Sequence, residues 1–264
     1  MEFKLDHIVH FVDRHPLEAA NMFIKQDLHA VMGGRHENWG SHNSLCYFSD
    51  LAYLEFLAVE DREKANAANN LLIHRLLKQR AEGLGQLAIR TDRIEEVKQK
   101  LEEKGLETGE VINASRKRED GTLLEWKMLF IQQSDEDCPL PFFIQWNQTD
   151  DERKQDLHKN GALGAQNLDV SISAVHYIVK DLNSAVTKWR KYFDLPRGEE
   201  TVNDEWRARS YVIKLPSFKL IFTEASGAGT VQQMLEKKGE GPYLVEFEPP
   251  VFKSYYQICG SMFK

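Results

Sequence analysis

The order strand, helix, then two or three strands occurs three times along the chain, and this repeat constrains the fold more than any other feature. The first copy opens with "FKLDHIVHFVD" (Phe3 to Asp13), apolar on both faces, as a well-covered strand is. "HPLEAANMFIKQDLHAV" follows as a helix, with Pro16 near its start and Ala19, Phe23 and Ala30 able to share one face. Gly33 and Gly34 stop it, and short strands end in "AYLEFLAV". The second copy has "GLGQLAIRT" as its strand and "DRIEEVKQKLEEKGL" as its helix, with Ile94, Val97 and Leu101 on one stripe. "EVINASRKR", "TLLEWKMLFIQ" and "LPFFIQW" supply its strands. The third copy runs from "ISAVHYIVKD" through "NSAVTKWRKYFDL" to "RARSYVIKLP" and "FKLIFTEA", and "GPYLVEFEPP" reads as the start of a fourth.

The pattern predicts an α+β fold of repeated βαβββ modules. The first domain covers residues 1–150, with modules at 1–60 and 83–148 joined by a helix over "EDREKANAANNLLIHRLLKQRAEG". The polar, glycine-bearing "TDDERKQDLHKNGALGAQN" is the expected boundary. The third module and its terminal strand segment fill 168–264. An odd number of modules leaves a sheet surface to cover, either by the terminal strand or by a second chain, so a homodimer is expected.

Composition excludes several classes. The net charge is −7 with no basic patch, which argues against nucleic acid. No apolar run approaches the roughly 20 residues of a spanning helix, so no membrane partner is expected. "MEFKLDHIVHFV" lacks the basic start and cleavage site of a signal peptide, and a cytoplasmic location is expected. The three cysteines are far apart and form no CxxC, which argues against a zinc finger or disulfide scaffold.

Glu55 is the anomaly. It sits inside the apolar run "AYLEFLAV", where a buried carboxylate needs a cation, a metal or hydrogen-bond donors. Trp126 and Trp146, on strands of the second module, can wall a pocket or pack in a core.

The segments "LDHIVHFV", "GGRHENWGSHN", "YLEFLAV", "GLGQLAIR", "LLEWKMLF" and "LPFFIQW" resemble the glyoxalase-like domain family of the vicinal oxygen chelate superfamily. That resemblance implies modules paired into a curved mixed-sheet cup with a site on its inner face. Metal-dependent members take one ligand from the first strand and one from the last strand of each module. The matching positions are His7 and Glu55 in the first module, Gln86 and Gln145 in the second, and Ala174 and Ile221 in the third. His7, Glu55 and Gln86 are then candidate ligands to a divalent ion (zinc, nickel, manganese or iron), with no organic cofactor expected. An amide cannot take a proton, so Glu55 is the candidate catalytic base. His36 and Asn43 in the signature segment, with Trp126, Gln145 and Trp146, are candidate substrate contacts. Three readings stay open for the His7–Glu55 pair: a metal-assisted lyase or isomerase acting on a small oxygen-rich substrate, a metal-free small-molecule pocket, or a structural ion pair.

Overall fold

The computed structural model describes residues 3–118, 121–134 and 138–264. The first module comprises β1 (Lys4–Phe11), α1 (Pro16–Ile24), β2 (Val31–His36), β3 (Ser41–Tyr47) and β4 (Tyr53–Val59). Two short helices follow, α2 (Arg62–Ala67) and α3 (Leu71–Lys78). The second module comprises β5 (Gly83–Arg90), α4 (Ile94–Glu103), β6 (Ile112–Lys117), β7 (Leu123–Leu129) and β8 (Phe142–Trp146), and α5 (Asp150–Lys159) leads out of it. The third comprises β9 (Ser171–Ile178), α6 (Leu182–Phe193), β10 (Glu199–Asn203), β11 (Ala208–Lys214) and β12 (Lys219–Ala225). Then come α7 (Thr230–Lys238), β13 (Gly241–Glu248), β14 (Tyr256–Ile258) and β15 (Ser261–Phe263).

The strands form two sheets, ordered β2-β3-β4-β1-β5-β8-β7-β6 and β10-β11-β12-β9-β13-β15-β14. In each full module the first strand pairs parallel with the last, as β1 does with β4, β5 with β8 and β9 with β12. The two first strands β1 and β5 then meet antiparallel and join modules one and two. β13 meets β9 in the same way, and β15 lies parallel to β13. The terminal segment is therefore an abbreviated fourth module, and it covers the β9 edge within the same chain. In the first sheet β2 and β6 approach each other, so the sheet curls almost into a barrel.

The two sheets share one core. Phe23 of α1, Leu101 of α4 and Trp189 and Phe193 of α6 pack with Leu5 and Ile8 of β1 and with Val175 and Tyr177 of β9. Each such buried large apolar side chain contributes about 1.5–3 kcal/mol. On the concave face of the first sheet, Ala65 of α2 and Leu72, Ile73 and Leu76 of α3 pack against Val9, Leu57, Ala88 and Phe142. The sequence suggested one connecting helix here. It is broken because Asn70 leaves the helical conformation and its side chain accepts from the amides of Leu72 and Ile73, starting α3.

The polar stretch before β9 is packed, in contrast to an open linker. Thr149 and Glu152 form a capping box that starts α5. Arg153 and Leu157 on the next turns are buried, and Leu157 packs against Leu45, Tyr47, Leu51 and Tyr53. Asn167 is fully buried; its Oδ1 accepts from His29 N, and its Nδ2 donates to the carbonyls of His29 and Tyr47. This side chain ties the connector to the first module. Asn167→Ala leaves three backbone groups without that partner, and urea unfolding is expected to show a loss of about 2–4 kcal/mol.

Candidate functional site

The site starts at an irregularity in β1. The register of β1 on β5 shifts between Leu5 and His7, and neighbouring side chains at 6 and 7 face each other instead of alternating. Asp6 Oδ1 lies 2.7 Å from His7 Nδ1. Asp6 Oδ2 accepts from Trp146 Nε1 at 3.0 Å, Arg90 Nη1 at 3.2 Å and Arg153 Nη1 at 3.3 Å. Full burial alone would raise its pKa, but Arg153, the His7 hydrogen bond and Arg90 outweigh burial and hold the carboxyl well below the usual carboxylate range. An ionised carboxylate only accepts, so His7 Nδ1 carries the proton of this bond.

The His7 ring is fixed from both sides. It stacks on Tyr53 at 4.5 Å and meets the edge of Phe142 at 5.4 Å. Its Nε2 lies 3.5 Å from Glu55 Oε2. Glu55 Oε1 accepts from Asn43 Nδ2 at 2.5 Å, and Asn43 Oδ1 accepts from Arg116 Nη1 at 3.1 Å. Arg116 therefore sets which end of the Asn43 amide faces Glu55. This crossing needs glycine at position 33, where a Cβ would stand 2.0 Å from Asn43 Oδ1 and 2.7 Å from Arg116 Nη1.

These groups border a cavity of about 510 Å³, counting the part open to solvent. Trp39, Trp126, Trp146, Met128 and Phe142 give it an apolar wall, and Leu72 and Ile73 of α3 cover it. His36 is on the wall, buried, with Nδ1 3.1 Å from Ser41 Oγ. Burial first, then Arg116 and His42, push its pKa down to about 3, so it is neutral near pH 7.

The structure brings His7, Glu55, His36, Asn43, Trp126 and Trp146 to this one cavity. It does not bring Gln86 or Gln145. Gln86 donates its amide to the carbonyl of Leu140. Gln145 accepts from the amide of Ile94 at the start of α4, outside the cup. The strand register also corrects the alignment of the second module. His7 pairs with Ala88 and Val9 with Gln86, so the two-fold relating the modules exchanges His7 with Gln86 and Val9 with Ala88. Glu55 lies beside Val9, and Phe142 lies beside Ala88. Phe142, not Gln145, is therefore the counterpart of Glu55.

Sequence reasoning missed Asp6, Tyr53, Arg116 and Arg153. Strand alternation placed Asp6 on the opposite face from His7, and only the bulge reverses that. Arg116 and Arg153 lie in a strand and a polar boundary segment, where a charged side chain ordinarily faces solvent. The "DH" pair followed by an apolar run was the one local signal available.

The donor set tests the ion that the resemblance implies. His7 and Glu55 are present; of the symmetry-related positions, Phe142 offers no ligand, and Gln86, whose Nε2 donates to the carbonyl of Leu140, offers only a neutral amide oxygen that is buried without a hydrogen-bond partner among the described residues. Among the described residues no group of three or more His, Cys, Asp or Glu is arranged to hold a metal ion. The described residues of the second module bring no imidazole or carboxylate to the site, so the donor set does not fit a centre that takes such ligands from both modules.

A profile of the glyoxalase-like domain matches residues 5–193, through β9 and α6 of the third module. Among solved structures, a hypothetical protein from Staphylococcus aureus is 24% identical with a TM-score of 0.77, over 99% of this chain and 98% of that one. A mutant of 4-hydroxymandelate synthase from Streptomyces coelicolor is 10% identical with a TM-score of 0.60, over 94% of this chain and 71% of that one. These likenesses establish the fold, paired βαβββ modules of the vicinal oxygen chelate type. A search of curated proteins found no match.

Two buried histidines make stability depend on pH. Burial lowers the pKa of both His36 and His10 to about 3 in the folded chain, against 6.5 when unfolded. Between these values the unfolded state binds more protons, so stability is full above pH 6.5 and falls as pH drops toward 3. Each histidine is expected to cost roughly 2 kcal/mol by pH 5. Denaturant midpoints at pH 7 and pH 5 measure the loss, and His36→Phe should remove about half of it.

Proposed function

The chain belongs to the glyoxalase-like domain family, and we propose that its first cup binds one small, largely apolar organic molecule and exchanges a proton with it through Glu55. The observation that carries this reading is the chain Asp6–His7–Glu55 at the wall of an aromatic cavity. Asn43 occupies Glu55 Oε1, which leaves Oε2, beside His7, as the oxygen that takes or returns the proton. Asp6 holds the His7 Nδ1–H, so positive charge arising on the ring when Nε2 takes a proton is stabilised. Trp126, Phe142 and α3 exclude water from the reacting group. The chemistry is of lyase or isomerase type: removal of a proton beside a carbonyl and its return at the same or a neighbouring atom. This route uses only the chain's own residues, because the donor set does not suit a divalent ion bound from both modules.

A second reading, sequestration without turnover, draws support from the apolar wall, which needs no base to hold a ligand. Proton exchange separates the two. Small 2-oxo acids and aryl ketones incubated with the protein in D2O are expected to lose protons beside the carbonyl, as followed by NMR. Glu55→Gln should lower that rate by about 10²–10⁴-fold while binding persists. Dialysis against a chelator should leave the rate unchanged. An unaltered rate in Glu55→Gln, or a rate abolished by the chelator, overturns the proposal. Binding with no exchange in the wild type favours sequestration.

A further inference from the structure

Three arginines are buried among the described residues: Arg90, Arg116 and Arg153. Arg90 and Arg153 both reach Asp6, and Arg90 also pairs with Asp150. Arg116 has no carboxylate within ion-pair distance among the described residues. Its Nη1 donates to a neutral amide oxygen on Asn43, and its Nε is buried with no hydrogen-bond partner among the described residues. A guanidinium withdrawn from water is costly unless an anion meets it. Its strand neighbour Arg118 has such an anion in Asp156.

The location explains what is missing. β2 and β6 are the two ends of the curled sheet, and they face each other across a seam. Arg116 lies at that seam and lines both the inner cavity and a wide outer groove of about 2410 Å³, counting the part open to solvent. His36, Trp39, Leu45 and Tyr47 also border both spaces, so the seam joins them. Among the described arginines lining these spaces, Arg116 is the one without a carboxylate partner: Arg35 pairs with Glu60 and Arg118 with Asp156, while Glu37 puts a negative charge on the outer groove and Glu55 lies in the inner cavity. A single guanidinium whose Nη1 meets only a neutral amide, and whose Nε has no hydrogen-bond partner among the described residues, suits a monoanionic carboxylate.

We infer that Arg116 binds the carboxylate of the ligand, and that the cavity takes small carboxylic acids with an aromatic or branched apolar body. The inference rests on the proposed ligand pocket. The acid group sits at the seam, and the body lies among Trp39, Trp126, Trp146 and Phe142. Asn43 bridges Arg116 and Glu55, so Glu55 faces the part of the molecule next to its acid group.

The test titrates the full chain with 3-phenylpropanoate and with its neutral amide, read by tryptophan fluorescence at pH 7. The acid is expected to bind about tenfold more tightly or better. Arg116→Gln should bring the acid to the level of the amide while amide binding stays unchanged, and Arg116→Lys should keep part of the preference. Gly33→Ala offers a second route. It retains the arginine and its charge, displaces the guanidinium through the added Cβ, and should also erase the preference. Circular dichroism melts confirm that each variant is folded. Equal binding of acid and amide by the wild type overturns the role of Arg116, as does a preference that survives both substitutions; the pocket reading stands in either case. Absence of binding by both compounds overturns the pocket reading and this inference with it.

Discussion

One buried carboxylate holds the site together. Asp6 on β1 accepts from Arg90 on β5, from Trp146 on β8 and from Arg153 on α5, and it pairs with His7 beside it. Four separate elements meet on two oxygen atoms. The guanidinium of Arg153 also lies 4.3 Å from the centroid of Trp146, so its charge is met by an aromatic face as well as an anion. A network of this kind resists piecemeal change: removing one member strands charge in a low-dielectric interior. The orientation of the His7 ring thus depends, through Asp6, on a helical residue 147 positions beyond Asp6.

The repeated modules share a scaffold but not a chemistry. Each first strand pairs parallel with its last strand, and first strands meet antiparallel, in both sheets. Polar groups at the paired inner positions survive together in the first module alone. The second module carries Gln86 and Phe142 there, and the third carries the buried apolar pair Ala174 and Ile221. In the first sheet, α2 and α3 fill one part of the cup with apolar contacts. The remaining space lies against the His7–Glu55 side. The asymmetric filling decides where a ligand can go.

Much of the fold was legible because it rests on short-range patterns. The strand–helix–strand order and the apolar stripe of α4 follow from spacings of a few residues. Glu55 stood out for the same reason, as one carboxylate inside an apolar strand. The glycine stop does not: α1 ends at Ile24, well before Gly33 and Gly34, which lie inside β2. Gln145 was misplaced because matching "FFIQW" to "AYLEF" ignores register, and register is a property of two strands together. The 149–167 segment reads as a domain boundary because it is polar and glycine-bearing, yet Arg153 and Asn167 within it are buried by partners far away in sequence.

The sequence by itself determined the modules, their order, and one acidic residue, Glu55, that needs a partner. Local periodicity is enough for that, since it encodes which face of each element avoids water. Only the tertiary structure decided which groups meet Glu55, that Phe142 stands where a second carboxylate was sought, and that Arg116 has no counter-ion among the described residues. Those outcomes depend on a strand bulge, an inter-strand register and the approach of two sheet edges. Each is a relation between distant segments, set by packing of the whole chain, and no window of neighbouring residues contains it.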